Sequence, residues 1–229
     1  MRRRGWLAIE IDAAHGFDLS EVPNQRFLRH ALGQGFIKAV HFRMPSSSFC
    51  PGDAQNLQQK PALRSLDFLE GLPGLSAKKR DRVRGEGLLA NSVVNLAAAA
   101  LRAGIPGTIE NPAASLFWSL PGVQRLHQHS QVYNVEFDLC VYGAAVKRST
   151  RLLAWLVDLR GLGRSCAGTR NLCSQSGRRH LSMHERQQPP RNPTQGAEPY
   201  PKKLVEQWAH YAKNYQTAKE ICKLFGYAC

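Results

Sequence analysis

"RDRVRGEGLLANSVVNLAAAALRAG", Arg80 to Gly104, runs almost directly into "GTIEN", Gly107 to Asn111. The first stretch has the spacing of a long helix whose second half is apolar enough to lie against a sheet. The second reads as a buried strand. Working outward, "WLAIEI" (Trp6 to Ile11) and "IKAVHF" (Ile37 to Phe42) read as two further strands, with "QRFLRHALGQG" (Gln25 to Gly35) as a glycine-ended helix between them. Short runs rich in Ile and Val alternating with helical patterns predict βαβ units on a mainly parallel sheet. Beyond Asn111 the pattern changes. "SQVYNVEFDLCVYG" (Ser130 to Gly143) and "STRLLAWLV" (Ser149 to Val157) alternate like an antiparallel pair at the edge of a mixed sheet. Residues 163–199, dense in Gly, Arg, Gln and Pro, form a loop or small module, and "PKKLVEQWAHYAKNYQTAKEICKLFG" (Pro201 to Gly226) returns to helical spacing. The expected domains are therefore 1–162, 163–199 and a closing helix in 200–229.

Lys and Arg outnumber Asp and Glu by 31 to 17 in 229 residues, a formal charge of +14. The positive residues cluster at Arg2–Arg4, Lys78–Arg84, Lys147–Arg151 and Gly177–His180. Such a field suits a polyanion, nucleic acid before others, although each cluster alone also fits a solvated face. No run approaches the roughly eighteen apolar residues of a membrane span, and "MRRRGWLAIEID" meets Glu10 and Asp12 too soon for a secretory signal. A soluble intracellular protein is expected, the nucleus included among its compartments. The six cysteines are too scattered for a disulfide framework.

In open α/β sheets ligands bind at the carboxyl ends of the strands, which directs attention to "EID", "HFRMPSSSFC" and "ENP". Glu10 or Asp12 could accept hydrogen bonds from ribose hydroxyls, or could be a polar strand end. Asp18 could face an adenine or cap the next helix. Glu110, leaving a buried strand before Asn111 and Pro112, could act as a proton donor if desolvation raises its pKa. It could equally start an ordinary turn.

These strand ends, in this order, resemble the cytosine-5 DNA methyltransferases, and more closely the divergent methyltransferase-like domains of mobile-element and dinoflagellate-type open reading frames. The resemblance covers about Trp6 to Trp155 and weakens toward Trp208. It implies a Rossmann-like α/β sheet, S-adenosylmethionine held by Glu10, Asp12, Asp18 and Leu19, and Glu110 gripping a flipped-out cytosine. "CVYGAAVKRSTRLL" is similar to a segment in which a Tyr-Gly turn (Tyr142, Gly143) precedes basic residues and Thr150. On this reading Arg43, Lys147, Arg148 and Arg151 hold DNA phosphates.

The departures from the family bear on catalysis. Matching Pro45 and Phe49 to the family's nucleophile loop puts Ser46 at the position of the catalytic cysteine, and Arg43 where glycine is usual. A hydroxyl loses its proton far less readily than a thiol. Cys50 lies four residues on, about 13 Å away along an extended chain. The family's glycine-rich cofactor loop has no counterpart, as though the sheet were truncated at its amino end, while Asn91, Ser92 and Val93 read as core helix. Separately, Cys166, Cys173, His180 and His184 offer two thiols and two imidazoles that could hold zinc, although the six-residue gap between the thiols is wider than usual. The expectation is a degenerate methyltransferase-like protein, a pseudoenzyme. The alternative is a non-enzymatic basic nucleic-acid-binding protein stabilised by zinc.

Overall fold

The computed structural model describes residues 9–13, 16–50, 61–169, 171–181 and 200–211. In chain order these form helix α1 (Val22–Gly33), strand β1 (Val40–Arg43), helix α2 (Ala77–Arg102), strand β2 (Gly107–Pro112), helix α3 (Pro121–His127), strand β3 (Val132–Asp138) and strand β4 (Ser149–Trp155). A last helix, α4, covers residues 202–211. The protein is thus α/β, with four strands in the order β1-β2-β4-β3 in a mixed open sheet. β1 and β2 are parallel, with Val40 opposite Gly107 and Arg43 opposite Glu110. The chain folds as two units, one built from residues 11–134 with 151–156, the other from 135–150 and the chain after 156 together with residues 1–10.

In the first unit, α1 starts with a proline in its first turn and ends at Gly35, whose φ of +71° suits a glycine. The Phe36 amide then reaches back to the Ala31 carbonyl at 3.2 Å, closing the last turn. α2 buries Ala90, Val93, Leu96, Ala97 and Ala100, small enough for the helix to lie close to its neighbours. Ser92 and Val93 are buried in this helix, as the sequence suggests, and Ser92 Oγ accepts from Gln25 Nε2 of α1 at 2.9 Å. β2 is buried from Gly107 to Asn111, as its apolar run and central place in the sheet require.

Gly107 fixes how β2 meets its neighbours. A Cβ there would lie 2.8 Å from Trp155 Cε2, and closer still to Trp155 Cζ2 and Val40 Cγ2. The Trp155 indole occupies that space, 1% exposed, and its Nε1 donates to the Ile105 carbonyl at 2.9 Å. Leu28, Leu96, Ile109, Phe117 and Leu153 belong to the same core.

The helices expected at Gln25–Gly35 and Arg80–Gly104, the strands expected at Ile37–Phe42 and Gly107–Asn111, and the pair flanking Gly143 all have counterparts, shifted by a few residues at their ends. The described part of the expected strand Trp6–Ile11 has none. Residues 6–8 lie outside the described residues, and residues 9–12 take no strand structure, with Ile9 74% exposed. Apolar alternation permits a strand, but the backbone adopts one only where a neighbour accepts its hydrogen bonds.

Gly107→Ala should lower stability by roughly 3 kcal/mol, the upper part of the range for overpacking a filled core, measured by urea unfolding. Adding Trp155→Phe, which removes the colliding ring, should recover part of that loss. A purely conformational effect of replacing glycine would not respond to the second substitution.

Candidate metal centre and the ends of the parallel strands

The second unit places four candidate ligands together. Cys140 sits on a single 3-10 turn, Leu139–Tyr142, that leaves the end of β3 and closes at Gly143 with φ +102°. This turn is fixed from two sides: the Tyr142 hydroxyl donates to the Leu162 carbonyl at 2.5 Å, and its ring packs edge-on against Phe137. Cys166, Cys173 and His180 come from the loop that follows. The Sγ atoms of Cys140, Cys166 and Cys173 and a ring nitrogen of His180 all lie within 4.8 Å of one another. Cys166 Sγ stands 3.7 Å from His180 Nε2. Tetrahedral zinc, with bonds of about 2.3 Å to sulfur and 2.0 Å to nitrogen, sets its ligand atoms about 3.5–3.8 Å apart, so this spacing fits. All three thiols are free and buried.

The loop's hydrogen bonds explain why its wide ligand spacing works. Residues 174–179 fold into a hairpin, with an isolated bridge between Leu172 and Arg179, the Cys173 amide on the Arg178 carbonyl at 2.8 Å, and the Gly177 amide on the Cys173 carbonyl at 2.8 Å. Cys173 and His180 therefore lie at the two legs of one turn. The segment between Cys166 and Cys173 closes just as tightly: a Cβ on Gly168 would lie 2.8 Å from the Ser174 nitrogen and closer still to the Leu172 oxygen. Behind the ligands, Asp138 Oδ2 accepts from the Cys166 amide at 2.7 Å, Ser149 Oγ donates to Asp138 Oδ1 at 2.5 Å, and Lys147 Nζ donates to the Cys166 carbonyl at 2.9 Å. Such supporting contacts orient a ligand before any ion arrives.

The thiols differ in acidity. Cys166 is lowered to about 7, first by the Ser174 hydroxyl and then by the Ser174 amide, whose atoms lie 3.4 and 3.3 Å from its sulfur. Cys173 is lowered to about 7, chiefly by the Ser176 hydroxyl. Cys140 is pushed up to about 12, first by burial and then by its neighbouring sulfurs. Two ligands are thus close to their metal-binding thiolate form at neutral pH, and the third must surrender a proton to bind.

Of the four ligands expected from sequence, Cys166, Cys173 and His180 are brought together, and His184 lies outside the described residues. Cys140 was hidden. It lies far up the chain inside an apolar stretch, and only the turn after β3 carries it to the loop. Its one local signal is the Tyr142-Gly143 pair that ends a strand abruptly.

At the carboxyl ends of β1 and β2, Arg43 Nε contacts Glu110 Oε2 at 3.3 Å, the Arg43 side chain 27% exposed and that of Glu110 only 2%. The carboxylate that the resemblance assigns to the target base is thus held by a guanidinium standing where that family has glycine. Asn111 is fully buried, and neither its Nδ2 nor its Oδ1 has a hydrogen-bond partner.

The loop after β1 is clamped to α2. Phe49, fully buried, packs edge-on against Phe117 and lies under the Arg64 guanidinium, 4.0 Å from the ring centroid. Arg64 Nε donates to Ser48 Oγ at 3.1 Å, and Glu86 accepts from the Ser48 amide at 2.8 Å, from the Ser47 hydroxyl, and from Arg82 Nε at 3.2 Å. Ser46 is half-buried and its carbonyl accepts the Phe49 and Cys50 amides, making a tight turn. Cys50 is exposed.

Of the residues expected to hold S-adenosylmethionine, none lies in a described strand. Glu10 is exposed and outside any strand, Asp12 is half-buried, Asp18 Oδ1 accepts from the Ser20 amide at 2.7 Å before α1 and does not cap that helix, and Leu19 packs against the apolar core. Arg151 lies half-buried, 5.3 Å from the Trp118 ring centroid, and Arg148 is also half-buried.

Burial raises the Glu86 carboxyl, but the hydrogen bonds from Ser47, Ser48 and Arg82 outweigh it and leave the group below its usual 4.5. A carboxyl more acidic in the folded state stabilises fully above its unfolded pKa, and that contribution is lost as pH falls through the folded value. Glu86→Gln should therefore cost about 1–2 kcal/mol at pH 7, and urea unfolding should show the difference from wild type shrinking as pH falls below about 4. No family model, curated protein or solved structure matches the chain.

Proposed function

We propose that the protein is a zinc-stabilised basic protein that binds nucleic acid and does not depend on methyl transfer. The observation that carries this reading is the buried set Cys140, Cys166, Cys173 and His180, presented by a chain of formal charge +14. Three thiols and an imidazole are a donor set suited to zinc, and four protein ligands leave no open position for a reacting water or substrate. Zinc in this role holds a loop in shape. The excess of Lys and Arg supplies the attraction for a phosphate backbone, which is sequence-independent and weakened by salt.

A second reading, a methyltransferase-derived domain impaired in catalysis, draws on the polar ends of the parallel strands. Glu110 emerges there on a buried strand, and the unpartnered Asn111 amide beside it is the kind of group a bound ligand would satisfy. Ser46 at the nucleophile position and the Arg43–Glu110 ion pair weigh against turnover.

Purified protein should contain one zinc ion per chain, and Cys140→Ser should lower zinc affinity at least tenfold in a competition titration with a chromophoric chelator. Because Cys140 gives up its proton to bind, affinity should rise about tenfold per pH unit between pH 6 and pH 8 for each proton displaced. A weaker pH dependence in Cys140→Ser would support the assignment, and metal-free protein that takes up no zinc would overturn it.

For the nucleic-acid reading, filter binding to a short duplex should weaken steeply from 50 to 200 mM salt, and a flat response would remove it. Calorimetry separates the second reading. Binding of S-adenosylmethionine at high micromolar concentration would support it, and absence of heat would dispose of its cofactor.

A further inference from the structure

We infer that the metal loop is itself the nucleic-acid contact surface, so that the ion which shapes residues 163–181 also sets the position of the cations that grip the phosphates. This rests on the zinc and nucleic-acid reading above and names the surface responsible.

From Leu159 to Leu181 the sequence contains no Asp or Glu. Arg164, Arg178 and Arg179 are exposed within this stretch, and Lys147 is exposed where its amino group meets the Cys166 carbonyl. All four are tied to the ligand frame. Arg164 lies two residues before Cys166, while Arg178 and Arg179 occupy the hairpin leg between Cys173 and His180. Three of the described acids of the same unit have partners outside the loop arginines, while Glu136 is exposed. Asp138 is buried under Ser149 and the Cys166 amide, Asp158 faces Arg160 at 3.4 Å, and Glu206 faces Lys202 at 3.9 Å. Three thiolates around a divalent ion carry one net negative charge, which the surrounding cations more than offset.

The basic cluster at Lys78–Arg84 is arranged differently. It contains Asp81, and Arg82 is bound to Glu86. Its field is partly cancelled within its own helix, whereas the metal loop presents exposed cations on a stretch of chain that carries no carboxylate. Holding arginines on a short hairpin reduces the freedom they lose on meeting a phosphate.

The test compares two triple variants of the zinc-loaded full chain by fluorescence anisotropy, against a 20-base-pair DNA duplex and a 20-nucleotide single-stranded RNA. Removing Arg164, Arg178 and Arg179 as Arg→Gln leaves every metal ligand in place, and zinc content and far-ultraviolet circular dichroism check the fold. This variant should bind at least tenfold more weakly, with the slope of log K against log salt reduced by roughly two to three for the duplex. Replacing Lys78, Lys79 and Arg80 by Gln removes the same charge elsewhere and should change affinity less than threefold. Chelating zinc from wild type should weaken binding to the level of the Arg variant, and should have no further effect on that variant. Whichever probe shows this pattern identifies the nucleic acid. Equal losses from the two triple variants, or an Arg variant that binds like wild type, would overturn this inference while leaving the nucleic-acid reading intact. Wild type that binds neither probe would remove both.

Discussion

The contact between Trp155 and Gly107 governs the arrangement of the first unit. A residue without a side chain in the middle of a buried strand is normally a weakness, since it contributes no packing and costs backbone entropy. Here the gap is filled by the largest of the apolar side chains, which arrives from β4 and anchors its indole nitrogen on the Ile105 carbonyl at the start of β2. The ring and Val40 together leave no room for even a methyl group. β2 is thereby held between its two neighbours, and the parallel register with β1 brings Arg43 beside Glu110.

That register has a chemical consequence. A carboxylate on a buried strand needs a partner, and the structure supplies one from the adjacent strand end. The ion pair engages Glu110, while among the described residues the side-chain amide of Asn111 next to it has no hydrogen-bond partner. The same loop that would carry a nucleophile is committed to packing, with Phe49 sandwiched between Phe117 and Arg64 and its serines bound to Glu86 and Arg64.

The second unit solves a different problem. Residues 163–181 hold few apolar side chains and, among the described residues, one isolated bridge, too little to order a loop by burial. Its organisation comes from hydrogen bonds directed at sulfur and carboxylate, with Asp138 receiving the Cys166 amide and Ser174 donating twice to the Cys166 sulfur. The bonds to sulfur favour the thiolate forms of Cys166 and Cys173. Electrostatics thus takes the place of a core.

The helices α1 and α2, the strands β1 and β2, and the strand pair around Gly143 are legible in the sequence because periodicity and glycine punctuation are local properties. Three of the four cluster residues are legible too, since Cys166, Cys173 and His180 fall within one short stretch. What the sequence could not decide depends on distant segments meeting. Trp6–Ile11 has the pattern of a strand, yet its described residues, 9–11, take no strand structure. Arg43 is conspicuous as an odd residue after a strand, but only the pairing of Arg43 with Glu110 reveals its effect. Cys140 looks like another apolar residue until a 3-10 turn places its sulfur beside Cys166, Cys173 and His180. The chain alone determined the class of fold, the basic character and the residue types available for a metal. Tertiary structure decided which of them meet, because hydrogen-bond partners and ligand distances are set by the sheet and not by separation along the chain.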